Sequence, residues 1–278
     1  MNKTSTMSRI ARSLIFIWFI TYAICIIYPL LWMVISGFKT KSELFLNTWA
    51  LPQEWVWGNY KTAWDVGVGR YFFNSVFVTS ISVALSVIIS AGCAFALSRF
   101  RFKGEKIILL IVIGGLMLSP QVSLISLYKL LQKLNIYNTY LALIIPYVAF
   151  RIPFTTFLIR SYLIDLPREV EDAAYIDGCN SWGVFWQIIL PMSKPIISTA
   201  SLLTAMQVWN EFMFALVFIE DSKYKTIPIG LMSLRSTLST DWTVLLAGLT
   251  ISVIPMIILF IVFQKQFVRG LTSGSVKG

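Results

Sequence analysis

Histidine is absent from the chain, which excludes zinc-protease motifs, histidine-based nucleophile triads and most imidazole proton relays. Cysteine is scarce. Cys25 and Cys93 fall in apolar runs and Cys179 in a polar segment, so no disulfide framework is available. Charged residues make up only 13% of the chain, and no G-x-x-x-x-G-K-[S/T] phosphate loop occurs. The end Gly270-Leu-Thr-Ser-Gly274-Ser-Val-Lys277-Gly278 is glycine-rich, but its spacing is wrong for phosphate and no strand precedes it. It reads as a flexible tail. If ATP is used, the ATPase sits on another chain. Internal repeats, low-complexity runs and heptad arrays are missing as well.

Apolar residues are what the chain has in abundance. They form 57% of 278 residues, and the mean hydropathy is +0.75. A soluble domain of that composition would expose too much apolar surface, so the class is a membrane protein. Six runs are long enough to cross a hydrocarbon core of about 30 Å, near 13–37, 72–97, 107–126, 139–163, 196–219 and 243–264. A barrel would show short alternating segments, so the expectation is all-α with six transmembrane helices. The first run follows Lys3, Arg9 and Arg12 but lacks a small-residue cleavage pattern, and reads as an uncleaved span. The short loop bearing Arg99, Arg101, Lys103 and Lys106 carries the inside bias, which puts both termini in the cytoplasm. Orientation and anionic lipid headgroups account for the net charge of +10 without nucleic acid.

The simplest partition is residues 1–71, with the first span and an outer loop, followed by one membrane domain over 72–278. The loop holds Trp49, Trp55, Trp57, Tyr60 and Trp64, broken by Pro52. An interfacial aromatic belt explains them; a contact for an outer partner or a sugar-stacking surface is the alternative.

The most informative segment lies between the fourth and fifth runs. Pro167-Arg-Glu-Val-Glu171-Asp172-Ala173-Ala174-Tyr-Ile-Asp177-Gly178 reads as a short polar helix on the cytoplasmic face. Pro167 suits its first turn, and the acidic residues suit a positive helix N-terminus. Ala173 and Ala174 offer a flat small surface, and Gly178 suits a left-handed stop. Ser181 is the expected cap of a second helix, which Pro191 and Pro195 break.

This finger resembles the EAA motif of binding-protein-dependent ABC importer permeases: E-A-A, three residues, G, then I-x-L-P. The matching positions are Asp172-Ala173-Ala174, Gly178 and Ile188-Ile189-Leu190-Pro191, with Asp172 for the family's glutamate and Glu171 just before it. Further short stretches are similar to the carbohydrate-uptake, maltose-type branch. They are Phe38-Lys39, Asn59-Tyr60, Asn74-Ser75, Ala94 to Phe100, Trp209-Asn210-Glu211-Phe212 and Gln264 to Thr272. Together they cover nearly the whole chain.

The resemblance implies a permease subunit for a sugar, oligosaccharide or polyol, with no covalent chemistry and no metal or cofactor of its own. ATP and its magnesium would belong to a partner ATPase dimer. A second related permease and an extracytoplasmic solute-binding protein would complete the complex in a prokaryotic cell membrane. Glu171, Asp172, Ala173, Ala174, Asp177, Gly178, Leu190 and Pro191 would form the coupling surface for the ATPase. Uptake of a phosphorylated polyol such as glycerol phosphate is the runner-up. A secondary carrier driven by an ion gradient is the alternative class, disfavoured by the finger and the lack of a paired repeat.

Two ionisable residues fall within spans: Arg151 about 18 Å below the outer end of the fourth and Glu211 about 12 Å below that of the fifth. Such charges face protein or a water-filled path. Trp209, Asn210 and Glu211 are candidates for lining the solute route, while Arg151 and Glu211 are candidates for a helix-helix clamp. Pro29, Pro146, Pro153 and Pro255 read as ordinary kinks within spans.

Overall fold

A computed structural model describes the backbone of residues 3–235 and 240–272, with side chains for 11–235 and 240–265. The expectations placed on Lys3, Arg9, the side chains after Lys265 and the tail from 273 lie outside the described residues. Every regular element within them is helical. Four helices are long and apolar enough to cross a membrane, or up to six if each of two bent pairs is one span.

The first compact unit comprises Met1–Gly69 and Ser233–Val253. It therefore takes in a later segment that the sequence partition at residue 71 does not. Helix α1 (Lys3–Ser36) contains Pro29, and its apolar stretch is open on every side. Helix α2 (Lys41–Leu46) begins with a capping box: Thr40 Oγ1 accepts from Glu43 N at 3.3 Å, and Glu43 Oε2 accepts from Thr40 N at 3.1 Å. Lys39, 1% exposed, donates from Nζ to the carbonyls of Asn47 (3.0 Å) and Thr48 (2.8 Å). Asn59 Nδ2 donates to Gly37 O and Lys39 O, and Tyr60 Oη to Val34 O, so the resembling pairs at 38–39 and 59–60 hold the segment after α1 together. Around Phe38 pack Trp55, Trp57 and Tyr60. Helix α3 (Gly58–Ala63) continues into a π-helical turn with Gly67 at φ 142°.

The second unit comprises Arg70–Met232 and Ile254–Gly278. It holds nearly all of α4 (Gly69–Arg99) and then α5 (Glu105–Gly115) and α6 (Leu124–Lys133). The expected third span, 107–126, is not a continuous helix. Pro120 lacks an N–H and forces Ser119 into extended backbone, so α5 ends and the chain bends by 93°. Helix α7 (Tyr140–Ile164) carries Pro146 and Pro153 inside it, and Gly115 lets α5 come close enough that a Cβ there would meet the Pro153 ring at 2.7 Å. After α7 come α8 (Glu169–Ile176), then α9 (Ser181–Gly183), a π-helical stretch (Val184–Ile189) and α10 (Leu190–Met192) as one run. Helices α11 (Lys194–Trp209), α12 (Met213–Phe218) and α13 (Ile227–Ser233) follow, and α14 (Trp242–Thr272) closes the chain with Pro255 inside it.

One core joins Leu143, Tyr147 and Val148 of α7 to Phe214, Ala215 and Phe218 of α12. A second joins Ala91, Ala94 and Phe95 of α4 to Ile159 and Leu163 of α7, Ala174 of α8 and Val184, Phe185 and Ile189 of the π-helical stretch. Asn74 knits distant segments: its Nδ2 donates to Lys223 O and Lys225 O, and its Oδ1 accepts from Tyr140 Oη at 2.7 Å. Ser75 Oγ accepts from Ile227 N at 2.8 Å.

Candidate functional site

The finger between α7 and α11 is built as two helical pieces around a glycine turn. Helix α8 starts at Glu169, with Arg168 as its cap, so Pro167 lies just outside the first turn that it was expected to open. The helix ends in a Schellman motif: Cys179 N donates to Ala174 O (2.9 Å) and Gly178 N to Tyr175 O (3.1 Å). Gly178 takes φ +88°, the left-handed conformation expected of it. The second piece is capped by Asn180, whose Oδ1 accepts from Gly183 N at 2.8 Å, one residue before the expected Ser181. Asn180 is in extended backbone while Ser181 is already helical, and only the former geometry aims a side chain at free N–H groups. Pro191 sits inside the last turn, and the bend of 77° falls at Ser193, where Pro195 opens α11.

The faces of the finger divide differently from the sequence reading. Glu171 and Ala174 are buried, whereas Asp172, Ala173, Asp177 and Pro191 are exposed and Leu190 is half-buried. Ala173 and Ala174 therefore do not form one surface, because consecutive helical residues point about 100° apart. Glu171 pairs with Arg99 at 2.6 Å. Burial holds its carboxyl above the usual glutamate value, and the Arg99 guanidinium offsets only part of that rise. The open face includes apolar groups that composition did not flag, above all Ile176 (86% exposed) and Trp182 (71%). Their position after the acidic turn was the available signal.

The expected fifth span, 196–219, is broken at Asn210–Phe212. Glu211 accounts for the break. Its carboxylate accepts from Phe214 N (2.8 Å) and Ala215 N (3.3 Å), the free donors at the start of α12, and from Tyr147 Oη of α7 at 2.7 Å. Arg151 instead donates to Gln207 Oε1. No ion pair within 4.0 Å joins Arg151 to Glu211 among the described residues; each ties α7 to the α11–α12 segment through a neutral partner. Trp209 is 5% exposed and packs edge-on to Phe72, so it fills the interior and offers no open stacking face. Asn210 is exposed, and its Nδ2 satisfies Met206 O at the end of α11.

Residues 86–273 match the family model of the binding-protein-dependent transport system inner membrane component. The chain belongs to this family. As a permease it is 55% identical over 97% of its length, and 90% of the other's, to "Probable ABC transporter permease protein YurM" of Bacillus subtilis. It is 35% identical, over 96% of this chain and 97% of the relative, to the trehalose/maltose transport system permease protein MalG of Thermococcus litoralis. Its fold matches a chain of a bacterial ABC transporter involved in the import of the acidic polysaccharide alginate, with a TM-score of 0.79. That match covers 96% of this permease and 99% of the other chain at 21% identity.

This permease therefore brings two candidate sites into its second unit. The finger collects Asp172, Ala173, Asp177, Gly178 and Pro191 on or near its open surface. The broken helix collects Arg151, Gln207, Asn210 and Glu211 on α7 and around the α11–α12 joint. Gln207 went unread in the sequence because a single amide is averaged away in a long apolar run.

Proposed function

We propose that this permease is one of two related membrane subunits of an ATP-driven importer for a sugar, oligosaccharide or polyol. It spans the membrane six times, with both termini in the cytoplasm. The observation that carries the reading is the finger's open face, where exposed Asp172 and Ala173 stand beside the bare Ile176 side chain. A structured, partly apolar face in water calls for a protein partner, and the family's dependence on a binding protein supports an ATPase on the inner side and a solute-binding protein on the outer. The trehalose/maltose relative supports a saccharide cargo. The unburied stretch of α1 supports a second permease beside it. Asn210, Gln207 and Arg151 serve as polar groups along the solute route, since irregular backbone and polar side chains at membrane depth belong against protein or water.

The test is reconstitution of this chain with its partner permease, ATPase and binding protein. Uptake of radiolabelled maltose, trehalose and alginate oligosaccharides is then measured. Uptake of one of them that needs both ATP and the binding protein supports the reading. Uptake driven by an ion gradient without either overturns it.

A further inference from the structure

Helix α8 has only two buried residues, Ala174 and Glu171. Its buried attachment is thus one methyl group, in the cluster that joins Val184, Phe185 and Ile189 of the π-helical stretch to Ala91, Ala94 and Phe95 of α4, and one carboxylate. A methyl contact is non-directional and lets a short helix roll. The carboxylate is different. It meets Arg99 Nε at 2.6 Å as an ion pair, with both side chains 6% exposed, and neither of these two buried atoms makes a hydrogen bond. Arg99 is the last residue of α4, and its Nη2 also donates to Leu166 O at 3.3 Å, in the linker that joins α7 to α8. Two further cations close the same corner: Arg160 Nε donates to Leu97 O (3.2 Å) and Arg168 Nη2 to Ser98 O (3.4 Å). Those carbonyls are the unsatisfied end of α4, where positive charge is favoured.

We propose that Arg99 and Glu171 are positioning residues that lock α8 to α4, so that force on the finger moves α4 with it instead of swinging α8 on its linker. This rests on the finger being the coupling element. Parting the pair leaves two charges in a dry site, so the lock resists partial opening. Glu171 and Asp172 thereby have opposite tasks: one faces inward and fixes the lever, the other faces outward to the partner.

Spin labels at Glu169→Cys and Ile88→Cys, in a background without the native cysteines, read the finger-to-α4 distance in the reconstituted complex. Sugar taken up per ATP hydrolysed is measured alongside, with the maltose, trehalose and alginate probes. The parent gives one narrow distance with and without ATP. Glu171→Gln broadens it and lowers the uptake ratio about tenfold, and Glu171→Asp gives an intermediate result. A narrow distance and an unchanged ratio in Glu171→Gln overturn the lock. If Glu171→Gln does not assemble, Glu171→Asp decides alone: broadening supports the lock, and a distance identical to the parent's overturns it. Ile176→Asp, on the open face, separates the two readings. If it impairs the ratio and Glu171→Gln does not, only the lock fails; if neither does, the coupling finger fails as well.

Discussion

At the scale of single residues, backbone conformation and buried hydrogen bonds decide more than side-chain chemistry. Gly178 has open space where a Cβ would sit, yet φ +88° is costly for any L residue and most for a β-branched one. Gly178→Val is expected to cost the turn about 1–2 kcal/mol. ATP-driven uptake falls while the amount of protein in the membrane stays near the parent's; Gly178→Asn is tolerated better, since asparagine visits this conformation. Normal uptake by the valine variant would remove the turn from the mechanism. Tyr147→Phe tests the other joint. It takes a hydroxyl donor from a carboxylate, worth about 1.5–3 kcal/mol. The melting temperature of the detergent-purified complex should fall, and an unchanged value would mean that the two backbone N–H groups hold Glu211 unaided.

At the scale of elements, helix ends carry the pH dependence. Asp241 caps α14: its Oδ1 accepts from Thr243 N (3.2 Å) and Val244 N (3.4 Å), while Oδ2 pairs with Lys41 at 2.9 Å. Burial alone would raise this carboxyl, but the Lys41 ammonium, the Thr243 hydroxyl and the Val244 N–H outweigh it and hold it below the usual aspartate value. The stability it adds is full above that usual value, near pH 4, and drains as pH falls through the lowered folded one. Asp241→Asn keeps an acceptor for the cap and loses the charge. Thermal melts taken between neutral pH and about pH 3 should lose less stability on acidification in the variant than in the parent, and parallel curves would exclude Asp241 as a contributor. Elements were legible in the sequence where composition alone decides them. The helices α1, α4, α7 and α14 follow from long apolar runs, and the stop at Gly178 from a residue with one common use. The break at 116–119 had a readable sign in Pro120 that a window average of hydropathy passed over. The break at 210–212 was not legible, because hydropathy cannot see Glu211 supplying the acceptor that ends one helix and starts another. Nor could it tell Glu171 from Asp172, which differ only in which way a helical face turns.

At the scale of the whole molecule, the surfaces left open define what the chain requires around it. The apolar side chains of α1 need lipid or another permease, and the basic loop of Arg101, Lys103 and Lys106 suits anionic lipid headgroups. Ile176 is the sharpest case, because a side chain 86% exposed on a helix beyond the spans gains nothing from lipid or from its own fold. Covering it in an ATPase groove would return about 1.5–3 kcal/mol, or roughly 10–150-fold in affinity. Ile176→Asp forfeits that gain and adds a charge with no partner of its own, so the ATPase should dissociate from the detergent-purified complex at correspondingly lower dilution. Titrating purified ATPase onto immobilised complexes measures the shift. Ile176→Leu keeps the apolar volume and should bind nearly as the parent does, which separates loss of burial from a change in helix stability. Equal affinity for the aspartate and parent proteins would mean that the ATPase grips another face, and Asp172 with Pro191 would become the next surface to probe.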